Sequence, residues 1–527
     1  MRLSPHHHLA GLLCLMLVAI FGRGLSASAD SEPSTDAAIS IADQRADLDL
    51  MWRAITAAHV GLDRYETKEQ VEARYRTLRD SLAEPLAPLD FFAKLVSFNA
   101  GLNSGHLYTI AEGGLAESVR DQPRLPLFVK LVQGRLYVWH DVSNGNALGR
   151  GAEILSINGR SSADVLAKIL PNVSSDGFIE TRKAHLVNRH NRPTYQGFDL
   201  YFMLFVDRSE RFSVRYRQPG AAAPKTADLK GIPISAKMDR LKAALAEDRP
   251  FDPPAMSYSL SADNKVATLH LARAWLKEGE APLAELLADM FAEMKANAVE
   301  ALVIDVRGNN GGDDRLTPDV FAYLTDKPFR YYRGLFRNNI DVTPFESVLH
   351  ASWGTRSLTQ KPEWYAQDAE GRYWELLDDA YRLLYPFDNQ PDPFLGPVYV
   401  LADGGSFSAG GQLAAVLLDA RRALLIGEET GGDYAGPDGG QALPIVLPHS
   451  GIHVRIPLIR SLNTVQPWPK GRGALPHCTV TPGIEDLLAG RDVHMALAEQ
   501  LIAAGITVET VFSVDVPIDL PKACQRP

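Results

Sequence analysis

The chain of 527 residues has three cysteines, Cys14, Cys478 and Cys524. It contains no C-x-x-C pair and no H-E-x-x-H run, so the spacings that mark zinc and redox centres are missing and no metal site is implied. Positive charge is in deficit: 54 Lys and Arg stand against 64 Asp and Glu, for a formal net charge of -10 and a pI near 5.8. That balance excludes the basic face needed to track nucleic-acid phosphates or an anionic membrane. A membrane-length apolar run is lacking too. The run from Leu9 to Phe21 falls short of the roughly 20 residues of a spanning helix. It follows Arg2 and precedes Ala27-Ser28-Ala29, the order of a secretory signal cleaved after Ala29. Residues 1–29 are therefore expected to be a signal peptide, and the mature protein to be exported, periplasmic or extracellular.

Cys14 lies inside that run behind Leu12 and Leu13, which is not a lipoprotein pattern. Export leaves Cys478 and Cys524 in an oxidising compartment, where they either bridge or remain unrelated thiols. Neither has the helix start or basic neighbours of a reactive cysteine.

What is present is the composition of a folded protein, 46% hydrophobic and 22% charged, long enough for two to four domains of about 100–200 residues each. Residues 30–41 are polar and read as a flexible leader. Leu48, Met51, Trp52, Ile55 and Ala58 recur at helical spacing, a second pattern covers Val71 to Leu82, and a third ends near Gly101. Residues 42–115 thus read as a small helical domain whose last loop carries His106. From Leu125 the texture turns to short strands, with Gly151 to Gly159 forming a strand and turn ahead of a helix; residues 122–216 read as a β-rich domain whose sheet edge could accept an extended peptide. Residues 217–255, rich in Pro, Ala and Lys, read as a linker. Residues 256–505 alternate strand and helix, the pattern of an α/β core, and 506–527 form a tail. Within the core, residues 327–387 hold 13 of the 44 aromatics, a candidate cleft wall or ordinary insertion packing.

The chemistry concentrates in two loops. "ADGGSFSAGGQLAAVLLD" puts Ser406 and Ser408 in a glycine-rich turn between a strand and a helix. A serine hydroxyl becomes a nucleophile only when a base takes its proton and donors hold the oxyanion that forms. A helix start supplies unpaired N–H groups, but serine there also serves as a plain N-cap. The G-x-S-x-G elbow fails by one position, since Ser406 stands where its first glycine would be. The second loop, "VIDVRGNNGGDD", places Gly308, Gly311 and Gly312 after a buried strand, with Asp305 and Arg307 available to pair and hold its shape.

"DVRGNNGG" resembles the D-x-R-x-N-x-G-G signature, and "GGSFSAGGQLAAVLLDARRALLIGEETGG" resembles the nucleophile segment, of the tail-specific or C-terminal-processing serine proteases. The resemblance covers about residues 255–500, including "TPGIEDLLAGRD", and more loosely the regions before them. It implies a multidomain α/β protein: a crotonase-like α/β protease core, a small N-terminal helical domain and a PDZ-like β-rich domain. It implies Ser408 as nucleophile, Ser406 as part of the turn, and the N–H groups of Ala409 and Gly311 as the oxyanion hole, with Gly312 a neighbour. The lysine that many members use as base is replaced by Asp433. The branch similar to the tricorn core protease instead uses a histidine from the helical domain, which points to His106 in "NSGHLYT", with Ser104 and Glu485 as candidate orienting groups. The expected activity is acyl transfer on peptide or unfolded-protein substrates, without a cofactor. Two alternatives stay open: a binding protein for a peptide or apolar ligand on the same fold, and a serine esterase with His449, His453, His477 or His494 as base.

Overall fold

The computed structural model describes residues 37–145, 147–190, 196–245, 253–350, 358–376, 384–512 and 522–524. The expected signal peptide at 1–29 and residues 30–36 of the leader lie outside the described residues, as do 513–521 and 525–527 of the expected tail. Among the described residues no helix is long and apolar enough to cross a membrane.

Three helices open the chain. Helix α1 (Ile41–Ala58) starts where Ser40 Oγ accepts the Asp43 N–H, α2 (Lys68–Asp80) starts in a Thr67–Gln70 capping box, and α3 (Pro88–Ala100) has proline in its first turn, where no N–H is needed. The next segment leaves this unit. Strand β1 (Tyr108–Ile110) pairs antiparallel with a strand more than three hundred residues on, Tyr108 opposite Arg455 and Ile110 opposite His453. His106 stands in the loop between α3 and β1, so this pairing carries it onto the core. Helix α4 (Gly113–Asp121) follows.

An antiparallel sheet comes next, built from β2 (Leu127–Val132), β3 (Arg135–Asp141), β4 (Glu153–Ile157), β5 (Arg160–Ser161), β6 (Arg211–Arg217) and β7 (Lys225–Lys230), in the order β2-β3-β4-β6-β7 with β5 against β4. The β4–β5 turn is Asn158-Gly159, both at positive φ, as a two-residue hairpin turn demands. Helices α5 (Ser162–Ile169), α6 (Glu180–Val187) and α7 (Phe198–Phe205) cover the sheet. The stretch expected to be a linker, 217–255, is structured in part: it contains β7 and α8 (Ile234–Leu245). Its polar composition reflects an edge strand whose side chains are mostly solvent-facing, while the buried Lys237 ammonium meets Asp199 and the carbonyls of Leu125 and Leu127.

The core is a six-stranded sheet in the order β19-β15-β14-β10-β9-β8, formed by β8 (Met256–Leu260), β9 (Val266–Leu271), β10 (Ala301–Asp305), β14 (Val398–Ala402), β15 (Leu424–Gly427) and β19 (Cys478–Thr479). All neighbours are parallel except β8 and β9. Burial on both faces explains the continuous apolar runs: Leu302, Ile304 and Val400 pack on one side with α9 (Leu283–Ala296) and α11 (Ala409–Asp419), while Val303, Leu401 and Ile426 pack on the other with α13 (Val493–Ala503). Helix α10 (Leu316–Ala322) precedes the aromatic-rich insertion, which supplies β11 (Tyr332–Arg337), β12 (Tyr365–Gln367) and β13 (Tyr373–Glu375); these join β18 (Arg460–Asn463) in a four-stranded sheet. Strands β16 (Ala442–Val446) and β17 (His453–Pro457) complete the sheet that receives β1. Short helices α12 (Ile484–Ala489) and α14 (Val508–Phe512) lie near the end, and Cys478 of β19 is bonded to Cys524.

Candidate active site

Strands β10 and β14 are adjacent and parallel, so the loops after them emerge at the same edge of the sheet. This places the two glycine-rich loops together. Asp403 Oδ1 accepts the N–H of Gly308 from one loop and of Gly405 from the other, each at 2.8 Å. Ser406 Oγ donates to Val306 O at 2.8 Å, and the Phe407 N–H donates to Asn309 O at 2.9 Å. Ser406 is thus a strut within the turn. Arg307 meets Asp305 through Nε and Nη2 at 2.8 and 2.6 Å and reaches Asp492, the N-cap of α13, at 2.7 and 2.8 Å. The pairing expected of Asp305 and Arg307 therefore also fastens the loop to the last long helix.

Ser408 is the N-cap of α11 at φ 53 and ψ -129, and its side chain does not cap the helix. A non-glycine residue at such a φ is strained, and this one sits on a strand-to-helix turn, as the serine of a nucleophile elbow does. Gly311 at φ +91 passes so close that a Cβ there would lie 2.5 Å from Ser408 Cβ, and at Gly410 one would lie 2.6 Å from Asn309 O. Only glycine permits this interlock. The Ala409 N–H, first in α11, has no carbonyl one turn back within its helix. Gly311 differs from expectation: its N–H is donated to Asn309 Oδ1 at 2.9 Å, because the asparagine side chain closes a local turn. Gly312 packs against Ala274, whose carbonyl a Cβ would meet at 2.3 Å.

The His106 ring stacks on Phe407, the residue before Ser408, with centroids 4.5 Å apart and planes at 26°. The other flank of Phe407 is met by the Arg182 guanidinium at 3.8 Å. His106 Nδ1 faces Asp438 Oδ1 at 3.4 Å, and its Nε2 edge lies against Gly439, where a Cβ would come within 3.0 Å. Ser104 Oγ donates to Asp438 Oδ2 at 2.7 Å, so it orients the carboxylate. Glu485 is on α12, exposed, and that helix packs Leu488 against Gly151; it is not brought to His106. Asp438 has its place instead.

Asp438 belongs to a buried charge cluster drawn from three parts of the chain. Arg64 Nη2 meets Asp433 Oδ2 at 2.9 Å, its Nη1 lies 3.9 Å from Asp438 Oδ2, and His59 Nε2 lies 3.7 Å from the same oxygen. Tyr65 donates its hydroxyl to Asp433 at 2.8 Å. Asp176 accepts the Gly105 N–H at 2.8 Å and the Asp433 N–H at 3.3 Å. Burial works against the Asp438 carboxylate, but His106, Arg64 and His59 more than offset it and hold its pKa well below the usual carboxylate range. Asp176 goes the other way, raised by burial and then by repulsion from Asp438. Burial pushes the His59 imidazole down, against the pull of Asp438.

Sequence reasoning missed Asp438, Asp403, Asp176 and His185. His185 lies against Gly405, and burial followed by Arg182 and Arg189 holds its imidazole well below the ordinary value. The histidines of the esterase alternative have other partners: His449 faces Asp43, His453 faces Glu112, His477 Nδ1 accepts the Leu425 N–H, and His494 meets Arg307 and Val480 O.

Two solved structures share the architecture. Mature CPAF is 17% identical, with 88% of this chain and 98% of that one covered at a TM-score of 0.60. Mature CPAF complexed with lactacystin is 16% identical, with 88% and 99% covered at a TM-score of 0.60. At these identities the likeness is one of fold. No curated protein matches the sequence. The family model of peptidase family S41 matches residues 265–438, from the start of β9 through both loops and Ser408 to Asp438. That match, over about a third of the chain, lies on the interlocked turns and agrees with the tail-specific serine proteases that its motifs resemble.

Proposed function

We propose that this chain is an exported serine peptidase in which Ser408 is the nucleophile and His106, oriented by Asp438, is the base. The observation that carries this reading is the junction at Phe407: its ring is the platform for His106, and the next residue is the strained Ser408. His106 takes the Ser408 proton, the alkoxide attacks a peptide carbonyl, and the oxyanion forms against the Ala409 N–H. Gly311 becomes a second donor once the Asn309 side chain releases its N–H. His106 then protonates the leaving amine, and water hydrolyses the acyl-enzyme. Asp438 stabilises the imidazolium, and its low pKa keeps it ionised throughout.

The proposed substrates are peptides or C-terminal tails of unfolded proteins. The antiparallel sheet of β2 to β7 supports a PDZ-like role in holding such a tail by strand addition, and the signal-like residues 1–29 support export. The test is covalent labelling by a serine-reactive fluorophosphonate. Wild type should label, Ser408→Ala should not, and His106→Ala should label far more slowly. A wild type that never labels and never cleaves a peptide library, yet binds peptides, would make it a binding protein on the same fold. Lactacystin, complexed with CPAF of similar fold, is a second compound to test, with Ser408→Ala as its control.

A further inference from the structure

Away from the serine, three potential metal ligands from distant segments converge on the sheet of β1, β17 and β16. Glu112 is the N-cap of α4, just after β1. His453 opens β17 opposite Ile110 and Val446. His350 is held by its N–H to Pro444 O at 3.0 Å, beside the bridge of Leu349 to Ile445. Strand pairing fixes the backbone of His453, and the bridge of Leu349 to Ile445 holds the backbone next to His350. Glu112 Oε1 lies 2.9 Å from His453 Nδ1, and Glu112 Oε2 lies 2.7 Å from His350 Nε2. The two imidazoles are stacked with centroids 4.8 Å apart, and one ligand atom from each residue falls within 4.8 Å of the others.

We propose that Glu112, His350 and His453 form a binding site for a divalent transition-metal ion of the zinc type. Two imidazoles and a carboxylate are the donors such ions prefer, and ligands about 2.0–2.2 Å from zinc stand roughly 3.3 Å from one another, close to the spacing already present. Glu112 and His350 are 37% and 27% exposed, so an ion can enter and keep water in its remaining positions. Affinity has a ceiling set by His453: with the metal on Nδ1 the proton moves to Nε2, which is buried without a partner. Ligand imidazoles lacking an outer acceptor lose about 10–100-fold in affinity. The site is structural rather than catalytic. Glu112 follows His106 by six positions, so a metal here would clamp β1, the strand just after the proposed base, onto β16 and β17.

The test is zinc titration by calorimetry on the full chain after chelator treatment, paired with melting temperatures in zinc and visible absorption in cobalt(II). His6, His7 and His8 can bind zinc on their own, so wild type is compared with His350→Ala, which keeps that run. Wild type should bind one more zinc ion than His350→Ala, or bind it at least about tenfold more tightly. Zinc should raise the melting temperature of wild type only. Glu112→Gln, which preserves shape, guards against a folding defect and should lose the same ion. Equal zinc binding in wild type and His350→Ala, or no zinc-dependent rise in melting temperature, would overturn the proposal and leave a hydrogen-bonded His–Glu–His cluster. These readouts stand whether or not the serine is active.

Discussion

The His106 imidazole lies flat on the Phe407 ring at 4.5 Å, so the base proposed from the helical part and the residue before Ser408, the proposed nucleophile, form one unit. The contact is geometric, and its loss should show in rate before stability. Phe407→Leu keeps most of the volume in a site 2% exposed but removes the flat platform that His106 and Arg182 share. The expected result is a fall in kcat/KM of about 10²-fold, the size of a misplaced catalytic group, with a destabilisation below about 1.5 kcal/mol. Steady-state kinetics with a fluorogenic peptide and urea unfolding separate the two.

Asp438 is the charge around which the buried cluster is arranged. Asp438→Asn leaves the shape and removes the ion that faces His106, Arg64 and His59. By analogy with loss of the carboxylate in other serine–histidine systems, the rate should fall about 10³-fold or more. The pH dependence has a definite sign. A carboxyl depressed in the folded state stabilises the fold above the ordinary value of 3.8, and that contribution drains away as pH falls through and below it. Wild type should therefore lose stability on acidification more steeply than Asp438→Asn, which should be less stable near pH 7 and flatter towards pH 3. Asp176, raised in the fold, contributes with the opposite sign in both proteins. An equally steep acid limb in the variant would show that Asp438 is not the group responsible.

Gly311 is required for two reasons that a single substitution exposes. Gly311→Ala must accommodate a φ of +91 and a Cβ 2.5 Å from Ser408 Cβ. Displacing Ser408 or the loop should abolish fluorophosphonate labelling even if the protein still folds, as judged by circular dichroism. Asn309→Ala tests the donor separately. It frees the Gly311 N–H now held at 2.9 Å, and full or increased activity would identify Gly311 as a working oxyanion donor. One such donor is worth about 3–4 kcal/mol in the barrier.

Local chemistry made Ser408 and the interlocking loops legible. A glycine-rich turn ahead of an apolar helix is a short-range pattern, and the core strands stand out as buried apolar runs. The helices at 41–100 were legible for the same reason. Residues whose role depends on long-range pairing were not. Asp438 reaches His106 across 332 positions, Asp176 ties Gly105 to residue 433, and neither stands in a recognisable motif. Strand β7, with Lys225 and Lys230 facing solvent at a sheet edge, looked like a linker because its stabilisation is in the ladder to β6. Glu485 was a carboxylate in a plausible segment, but α12 carries it to the surface beside the antiparallel sheet.

Asp433, which the resemblance puts at the position of a lysine base, is an anchor. It is 9% exposed and bound by Arg64 at 2.9 Å and Tyr65 at 2.8 Å, with Arg460 at 3.9 Å. These contacts hold the segment after α1 against the core and so help to deliver His106. Restoring the lysine should therefore do harm. Asp433→Lys would place a third cation between Arg64 and Arg460 and leave both without their shared counter-ion. Breaking a buried pair in this way typically destabilises by about 3–5 kcal/mol. The variant should unfold at lower urea and lose peptidase activity rather than gain a lysine-dependent one. Asp433→Asn, which keeps a hydrogen-bond acceptor for Tyr65 and adds no charge, should be hurt less. Activity in Asp433→Lys that survives His106→Ala would show that the lysine had taken over as base and that the anchor is dispensable.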